Sequence, residues 1–544
     1  MKGLLPLVAL LMLVAAHGSH GSVIEVDWSG AGDCLTLREG IEASANGDTV
    51  RVAPGTYTGP DNRDLDFAGK QISVVSLSGS GSTVIDCESA ARAFDFHSGE
   101  PMAARLCGFT IVNGSAEDGG ALRCRSASRP TIEDCVFTAN WAANDGGALC
   151  VLSAAGPILE NVVFDANVSG LRGGAVCTAG GRTVMNGCTF TDNSAPYGGA
   201  LLLDHDMYVF IEACGFSGNT ALEGGAIFDY DSSPSITGST FTDNHASGPG
   251  DYRFGGAVYI VNSNSSVLAD CVFEGNDIHG EVGFGGGLAV HMAKVTVTSC
   301  AFSSNAATGE VVGVGGGVYC YNEDDVWGPC SSFDDCRFEA NRGDQGGGLC
   351  CQHTSAPIRH CTFLGNEALT GGGAYVSYHP GQLRDCVITE NTAGYGGGLF
   401  LGGGSNSVTN VTIALNAASH GGGVFCSAEA APIVANSIVA LNSSGGAVQC
   451  DGASGAPSLS CCDVYGNAGG DWVGCIAGLA GVDGNLCEDP LFCGAPDGDF
   501  SIDASSPCAA ASNPACGQIG ALGVGCETTA VQSVSWGGIK ARFR

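Results

Sequence analysis

CRFEANRGDQGGGL (residues 336–349), CTFLGNEALTGGGA (361–374), CVITENTAGYGGGL (386–399) and VTIALNAASHGGGV (411–424) are four versions of one phrase. It reads Cys-x-Phe-x-x-Asn, a short variable turn, then Gly-Gly, a small residue and an aliphatic one. Asn341, Asn366, Asn391 and Asn416 are spaced by 25 residues. A fixed period of this length marks stacked units, none of which can bury its apolar face alone. Each unit offers short strands of alternating apolar residues between Gly and Asn turns. Stacked in register, each strand pairs with its copy one coil above, about 4.8 Å away.

Working outward, the same asparagine recurs at Asn113, Asn140, Asn167, Asn193, Asn219, Asn244, Asn276 and Asn305, and again at Asn442 and Asn467. The longer gaps end at Asn276, Asn305 and Asn341. Insertions therefore gather in the middle coils, on one face, where partners of solenoids bind. Phe137, Phe190, Phe216, Phe241, Phe273, Phe302, Phe338 and Phe363 are expected to form an internal stack. The cysteine two residues earlier faces the same way, giving a second internal column: Cys107, Cys135, Cys188, Cys214, Cys271, Cys300, Cys336, Cys361 and Cys386. That column reads as small buried hydrophobes, some oxidised between adjacent coils, rather than as metal or redox chemistry. The asparagines suit left-handed turn positions and can hydrogen-bond along the stack.

Composition bounds the function. The net charge of −34 argues against nucleic acid, whose phosphates require Lys and Arg. Hydrophobic residues make up 44 %, so the acidic chain can still build a core. Met1-Lys2, the apolar run from Leu4 to Val14 and the small residues Ala15 to Gly18 read as a cleaved signal peptide over residues 1–18. Export permits disulfides among the 28 cysteines. No later stretch reads as a membrane-crossing helix, and the mature chain is expected to be a monomer. Residues 23–100 read as an N-terminal cap and entry coils, with strands at 23–26, 49–52, 72–77, 83–87 and 94–96. A short helix within 34–45 carries apolar residues at Leu35, Leu37 and Ile41. Such a helix covers the open end of the first coil. Residues 101–470 hold the repeats. Residues 471–526, rich in cysteine, read as a C-terminal cap, with Cys516–Cys526 and Cys493–Cys508 as guesses at its pairing. Residues 527–544 form a basic, aromatic tail, either for sorting or attachment at the cell surface or simply a frayed terminus.

The Phe-x-x-Asn and Gly-Gly-Ala-aliphatic pairing resembles the repeats of chlamydial-type polymorphic outer-membrane proteins. More broadly the chain resembles right-handed parallel β-helices of the pectin-lyase-like group, and GDTVRVAPGTYTG (47–59) resembles the entry coil of secreted bacterial members. The resemblance implies an all-β fold, a right-handed parallel β-helix of about 14 or more coils, exported or associated with the outer membrane. The resemblance does not extend to an autotransporter barrel, for which the segment after Asn467 is too short.

Two sets of residues could carry function. The position after each post-Gly-Gly aliphatic alternates outward, and it holds Phe228, Tyr259, Tyr319, Tyr375, Phe400 and Phe425. An exposed aromatic file of this kind stacks on sugar rings or on a cell-surface protein. Elsewhere Asp204, Asp229, Asp231, Arg253 and His291 gather near the middle coils, followed by Glu323, Asp324 and Asp325. Carboxylates on successive coils can share Ca²⁺ or act as an acid–base pair. The motif sets of polygalacturonase-like enzymes and alginate epimerases are missing. The expected function is therefore non-catalytic binding of glycan or a partner protein along the aromatic file. The alternative is a polysaccharide lyase or hydrolase at the acidic middle coils.

Overall fold

The computed structural model describes residues 21–526, except 207, 323–330, 379–380 and 453–454. The expected signal peptide, the tail and Glu323, Asp324 and Asp325 lie outside the described residues. Three long parallel sheets of 17, 16 and 14 strands run side by side along one axis. The first begins with Val23–Val26, the second with Gly55–Tyr57 and the third with Phe94–Phe96. Most coils contribute one strand to each sheet, so at about 4.8 Å per coil the body is roughly 75–80 Å long. The chain is an all-β parallel solenoid, as its period predicts.

The columns follow the sequence closely. Nine phenylalanine rings stack inside the second sheet, from Phe137 through Phe164 to Phe363, with centroids 4.6 to 5.3 Å apart. The cysteines from Cys135 to Cys386 form a buried column, and none of them is in a disulfide. Their thiols bond to backbone carbonyls of the preceding coil, as Cys336 does to Val297 at 3.6 Å. Burial pushes the Cys135 thiol up to about 12, which keeps that thiol protonated. The expectation of oxidised pairs within it does not hold.

The asparagines form the inner seam. Asn341 Oδ1 accepts from the backbone N–H of Asn305 at 3.0 Å and from its Nδ2 at 3.0 Å. Asn341 Nδ2 donates to Phe302 O at 2.8 Å and to Asn366 Oδ1 at 2.9 Å. The same pattern runs from Asn140 to Asn467. It is the residue before each asparagine that takes the left-handed conformation, as at Ala340 (φ +52°) and Glu390 (φ +59°), not the asparagine itself. The coil of Cys107 to Asn113, the first to carry the motif, is also out of phase with it. Strand pairing sets Ile111 against Phe137 and Cys107 against Glu133. Gly114, not Asn113, therefore occupies the seam, and its N–H donates to Asn140 Oδ1 at 2.8 Å. At the opposite corner Gly371 holds φ +67°, and a Cβ on Gly372 would lie 2.4 Å from Gly397 O. That approach explains Gly-Gly in coil after coil.

Both ends are closed. The helix Leu37–Ala43 opens with a capping box between Thr36 and Glu39 and buries Leu37 and Ile41 against the first coil. Leu35 precedes it and is exposed. At the other end a small sheet (Phe492–Gly494, Asp499–Asp503, Val524–Cys526) carries the cap. Its two outer strands bring Cys493 to Cys526, with Cα atoms 5.9 Å apart. Cys516 reaches back to Cys461, and Cys450 pairs with Cys475. Both guessed pairings fail because the flanking strands, rather than neighbours in sequence, set the Cys493 partner. Cys508 stays a buried thiol against Asp463.

The inserted turns do not hang free. Tyr252–Phe254, Asp277–Phe284 and Ala306–Val314 join Thr220–Ala221 and His245–Ser247 in a five-stranded parallel sheet beside the third sheet.

Apart from the asparagine seam, an ionisable side chain also stands inside this apolar tube. Asp229 pairs in register with Leu203 and Ile260, so it points inward and is fully buried. Its carboxyl accepts from Ser263 Oγ at 2.7 Å. Burial pushes its pKa up to about 7, only partly offset by Ser263 and Ser232.

Two predictions follow from this packing. Asn341→Ala leaves the buried backbone N–H of Asn305 and one of its two Nδ2 hydrogens without an acceptor, so it should cost on the order of 3 kcal/mol. Asn113→Ala, off the seam, should cost under about 1 kcal/mol. Urea-unfolding midpoints compare the two, and equal losses would remove the seam's special role. For Asp229, the folded protein holds a proton that the unfolded chain releases near pH ~4. Its contribution to stability is full below that pH and is lost as pH rises through about 7. Asp229→Asn should therefore gain on wild type by on the order of 4 kcal/mol between about pH 4 and pH 8. A gap independent of pH would show that the carboxyl is ionised in the fold.

Candidate functional site

The third sheet carries the outward aromatic column. Phe228, Tyr259, Ala289, Tyr319, Cys350, Tyr375, Phe400 and Phe425 are successive register partners. The register is as predicted, but the expected exposure is not. Over the middle coils the inserted strands lay Phe254 against Tyr259 at 4.8 Å and Phe284 against Tyr319 at 4.6 Å. Tyr259 and Tyr319 are left 5 % and 4 % exposed, at the heart of a second apolar cluster. Phe425 is 7 % exposed, with the edge of Tyr395 at 5.2 Å. Phe228, Tyr375 and Phe400 stay half-buried.

The five polar candidates separate into four places. Asp204 and Asp231 stand one coil apart and bracket His205, whose Nδ1 contacts Asp204 and whose Nε2 lies 3.4 Å from Asp231. Arg172, one coil earlier, reaches Asp204 at 3.0 Å while also bonded to Asp145. Those two carboxylates raise the Arg172 pKa, Asp145 most of all, and lock the charge in place. Asp229 belongs to the core described above. Arg253 is folded under the insertion, with Nη1 donating to Tyr252 O at 2.7 Å. His291 joins the aromatic layer, its ring 5.5 Å from Phe254 and 5.2 Å from Tyr321. The expected convergence of all five does not occur, because strand alternation sends Asp229 inward and the insertion carries Arg253 away. Among the described residues, the ligand atoms close enough to share a metal ion belong to Cys107, Glu133 and Asp134. Arg105 already binds Glu133 there.

Where the insertions end, the outer face opens. Tyr375 and Phe400 stack at 4.7 Å and form the floor of a cleft of about 300 Å³. Tyr378 stands on one side, 52 % exposed, its ring stacked on His353 at 4.6 Å. Glu429, across Gly403 from Tyr378, and Asp451 also line it. Gly402 and Gly403 make the gap between these walls. A Cβ on Gly403 would lie 3.5 Å from Glu429 and 3.6 Å from Tyr378. Tyr378 is tied across the gap by its N–H to Gly403 O at 2.8 Å. Asp451 directly follows Cys450, whose bond to Cys475 pins that strand end to the cap. Sequence reasoning found Tyr375 and Phe400 but missed Tyr378, Glu429 and Asp451. The available signal was the run Gly402-Gly403-Gly404, which falls outside the corner phase of the repeat.

The family model described as "Right handed beta helix region" matches residues 63–209, 196–326 and 316–485. Curated proteins provide no match. Among solved structures the chain is similar to tailspike protein 3 of bacteriophage CBA120, at 11 % identity and a TM-score of 0.33, covering 78 % of this chain and 58 % of that one. It is also similar to the PL6 family alginate lyase AlyGC, at 9 % identity and a TM-score of 0.31, covering 82 % of this chain and 78 % of that one. A third is pectate lyase Pel9A, at 13 % identity and a TM-score of 0.24, covering 93 % and 97 %. The chain spans less than two thirds of the tailspike's length. With the three matched segments together spanning residues 63–485, the chain belongs to the right-handed β-helix family.

Proposed function

We propose that this is an exported protein that binds saccharide without turning it over, in the cleft over Tyr375 and Phe400. One observation carries the reading. Two half-buried aromatic rings, stacked on one another, line a cleft together with a third ring and hydrogen-bonding side chains. Sugar rings present apolar C–H faces and hydroxyl edges, and a binding site of this composition meets both. The three disulfides favour an oxidising exterior. The acid–base alternative draws less support, since Asp229, Arg253 and His291 stand apart from Asp204 and Asp231. General acid–base work requires groups within hydrogen-bond reach of one reacting centre.

A saccharide panel read by calorimetry tests the proposal. Phe400→Ala and Tyr378→Ala should each weaken binding about tenfold, equivalent to ~1.4 kcal/mol. Gly403→Leu, which fills the gap at ordinary contact distances, should abolish it. Tyr319→Phe, buried under the insertion, should leave it unchanged. A panel without binders, or cleft variants that bind like wild type, would end the reading. Release of reducing ends or unsaturated products that Asp231→Asn abolishes would replace binding with catalysis.

A further inference from the structure

The joint between the coil of Cys107 and the coil of Glu133 is built unlike the joints that follow it. Gly114 stands in the asparagine seam there, so its N–H reaches Asn140 but the side-chain amide bond between these two coils is lost. The same shift of phase turns a thiol outward. Cys107 pairs with Glu133 on the outer face of the first sheet, and no other strand of that sheet carries a cysteine. Asp134 follows in the left-handed conformation, at φ +51°. One ligand atom from each of Cys107, Glu133 and Asp134 lies within 4.8 Å of the others. No second trio of this kind forms among the described residues, although the chain has 55 acidic side chains, so crowding of carboxylates alone does not produce it.

The donors suit a thiophilic divalent cation. A tetrahedral zinc ion with bonds of ~2.0–2.3 Å holds its donors roughly 3.3–3.8 Å apart, so side-chain rotation over about 1 Å closes the trio. Arg105 bonds Glu133 through Oε2 and leaves Oε1 for a metal. Asn161 Nδ2 donates to Asp134 Oδ1 at 3.3 Å and leaves Oδ2. Carboxylates that ligate metals are held from behind in this way. The charges also match. A thiolate and two carboxylates beside the Arg105 guanidinium sum to two negative charges, which a divalent cation neutralises. Calcium takes oxygen donors alone, so the thiol selects zinc. We propose that Cys107, Glu133 and Asp134 bind Zn²⁺, with water in the fourth position on the exposed side of Asp134. The ion clamps two coils at the joint where the seam lacks its amide bond.

The test uses the full chain, stripped of metal by a chelator and titrated with Zn²⁺ by calorimetry. Zn²⁺ should bind at this site and raise the thermal midpoint. Loss of an outer-shell partner alone weakens a metal site by about tenfold or more, so Cys107→Ser, which removes a ligand, should weaken Zn²⁺ at least as much. Glu133→Gln and Asp134→Asn should each weaken it as well. Co²⁺ in place of Zn²⁺ should give the intense near-ultraviolet absorption of a cobalt–thiolate bond, and Cys107→Ser should abolish it. Cys487→Ser, which removes the exposed free thiol near the cap, should leave every readout unchanged. The substituted side chains lie on the outer face, so the variants should fold, as the midpoints of the metal-free proteins would report. Absence of Zn²⁺ binding, a Cys107→Ser variant that binds like wild type, a missing cobalt–thiolate band, or displacement of Zn²⁺ by equimolar Ca²⁺ would each overturn the site. Binding through Cys107 that leaves the midpoint where it was would overturn the clamping role.

Discussion

The fold depends on one repeated hydrogen bond. The side-chain oxygen of each seam asparagine takes both the backbone N–H and the side-chain N–H of the asparagine one coil before it. A strand pair alone can slip, since one register is almost as well bonded as the next. A buried amide that must satisfy every donor and acceptor cannot slip without leaving some of them bare. The seam therefore sets the register, and the rings, thiols and glycines line up because it does. It also explains why the insertions are tolerated. Asn244 meets Asn276 across a 32-residue gap and Asn305 meets Asn341 across 36, with the same geometry as at 25. Extra residues leave the column at the turn and return to it unchanged.

With the interior committed, variation is confined to the outside, and there the insertions act by covering. Their aromatic residues seal Tyr259 and Tyr319 into a second apolar layer. The solenoid is thickened where it is interrupted, and is thin again where the turns shorten after Asn341. The cleft lies in that thin region. It is formed by what is missing, namely inserted strands above and side chains at Gly402 and Gly403.

This distribution decides what the sequence could reveal. Interior columns were legible because identical neighbours demand identical residues: the Phe stack, the Cys column and the asparagines could be read coil by coil. Phe164 was overlooked because its coil carries Val162 where others carry Cys, though the ring sits in the same stack. Asn113 misled because its coil is one residue out of phase, and only strand pairing reveals Gly114 in the seam. The outward aromatic column was legible too, since alternation fixes its side. Its cover was not, because the length of an insertion gives no direction. Asp229 shows the same limit from the other side. It looks like a surface acid beside Asp231, and period-two alternation places it in the core. Tyr378, Glu429 and Asp451 come from three different coils, and no spacing in one dimension joins them.

The cap and the cleft are linked through one covalent bond. Asp451 leaves the third sheet immediately after Cys450, near the end of the stack, where no further strand of that sheet follows to hold it. Edge strands fray unless tied down. The Cys450–Cys475 bond ties this one, closing a loop of 25 residues onto the cap. Limiting the unfolded freedom of such a loop stabilises its ends by about 3 kcal/mol in the chain-entropy view. The acidic wall of the cleft thus keeps its place only where disulfides persist. The bond that finishes the solenoid and the saccharide cleft proposed above therefore share one requirement, an oxidising surrounding in which the disulfide persists.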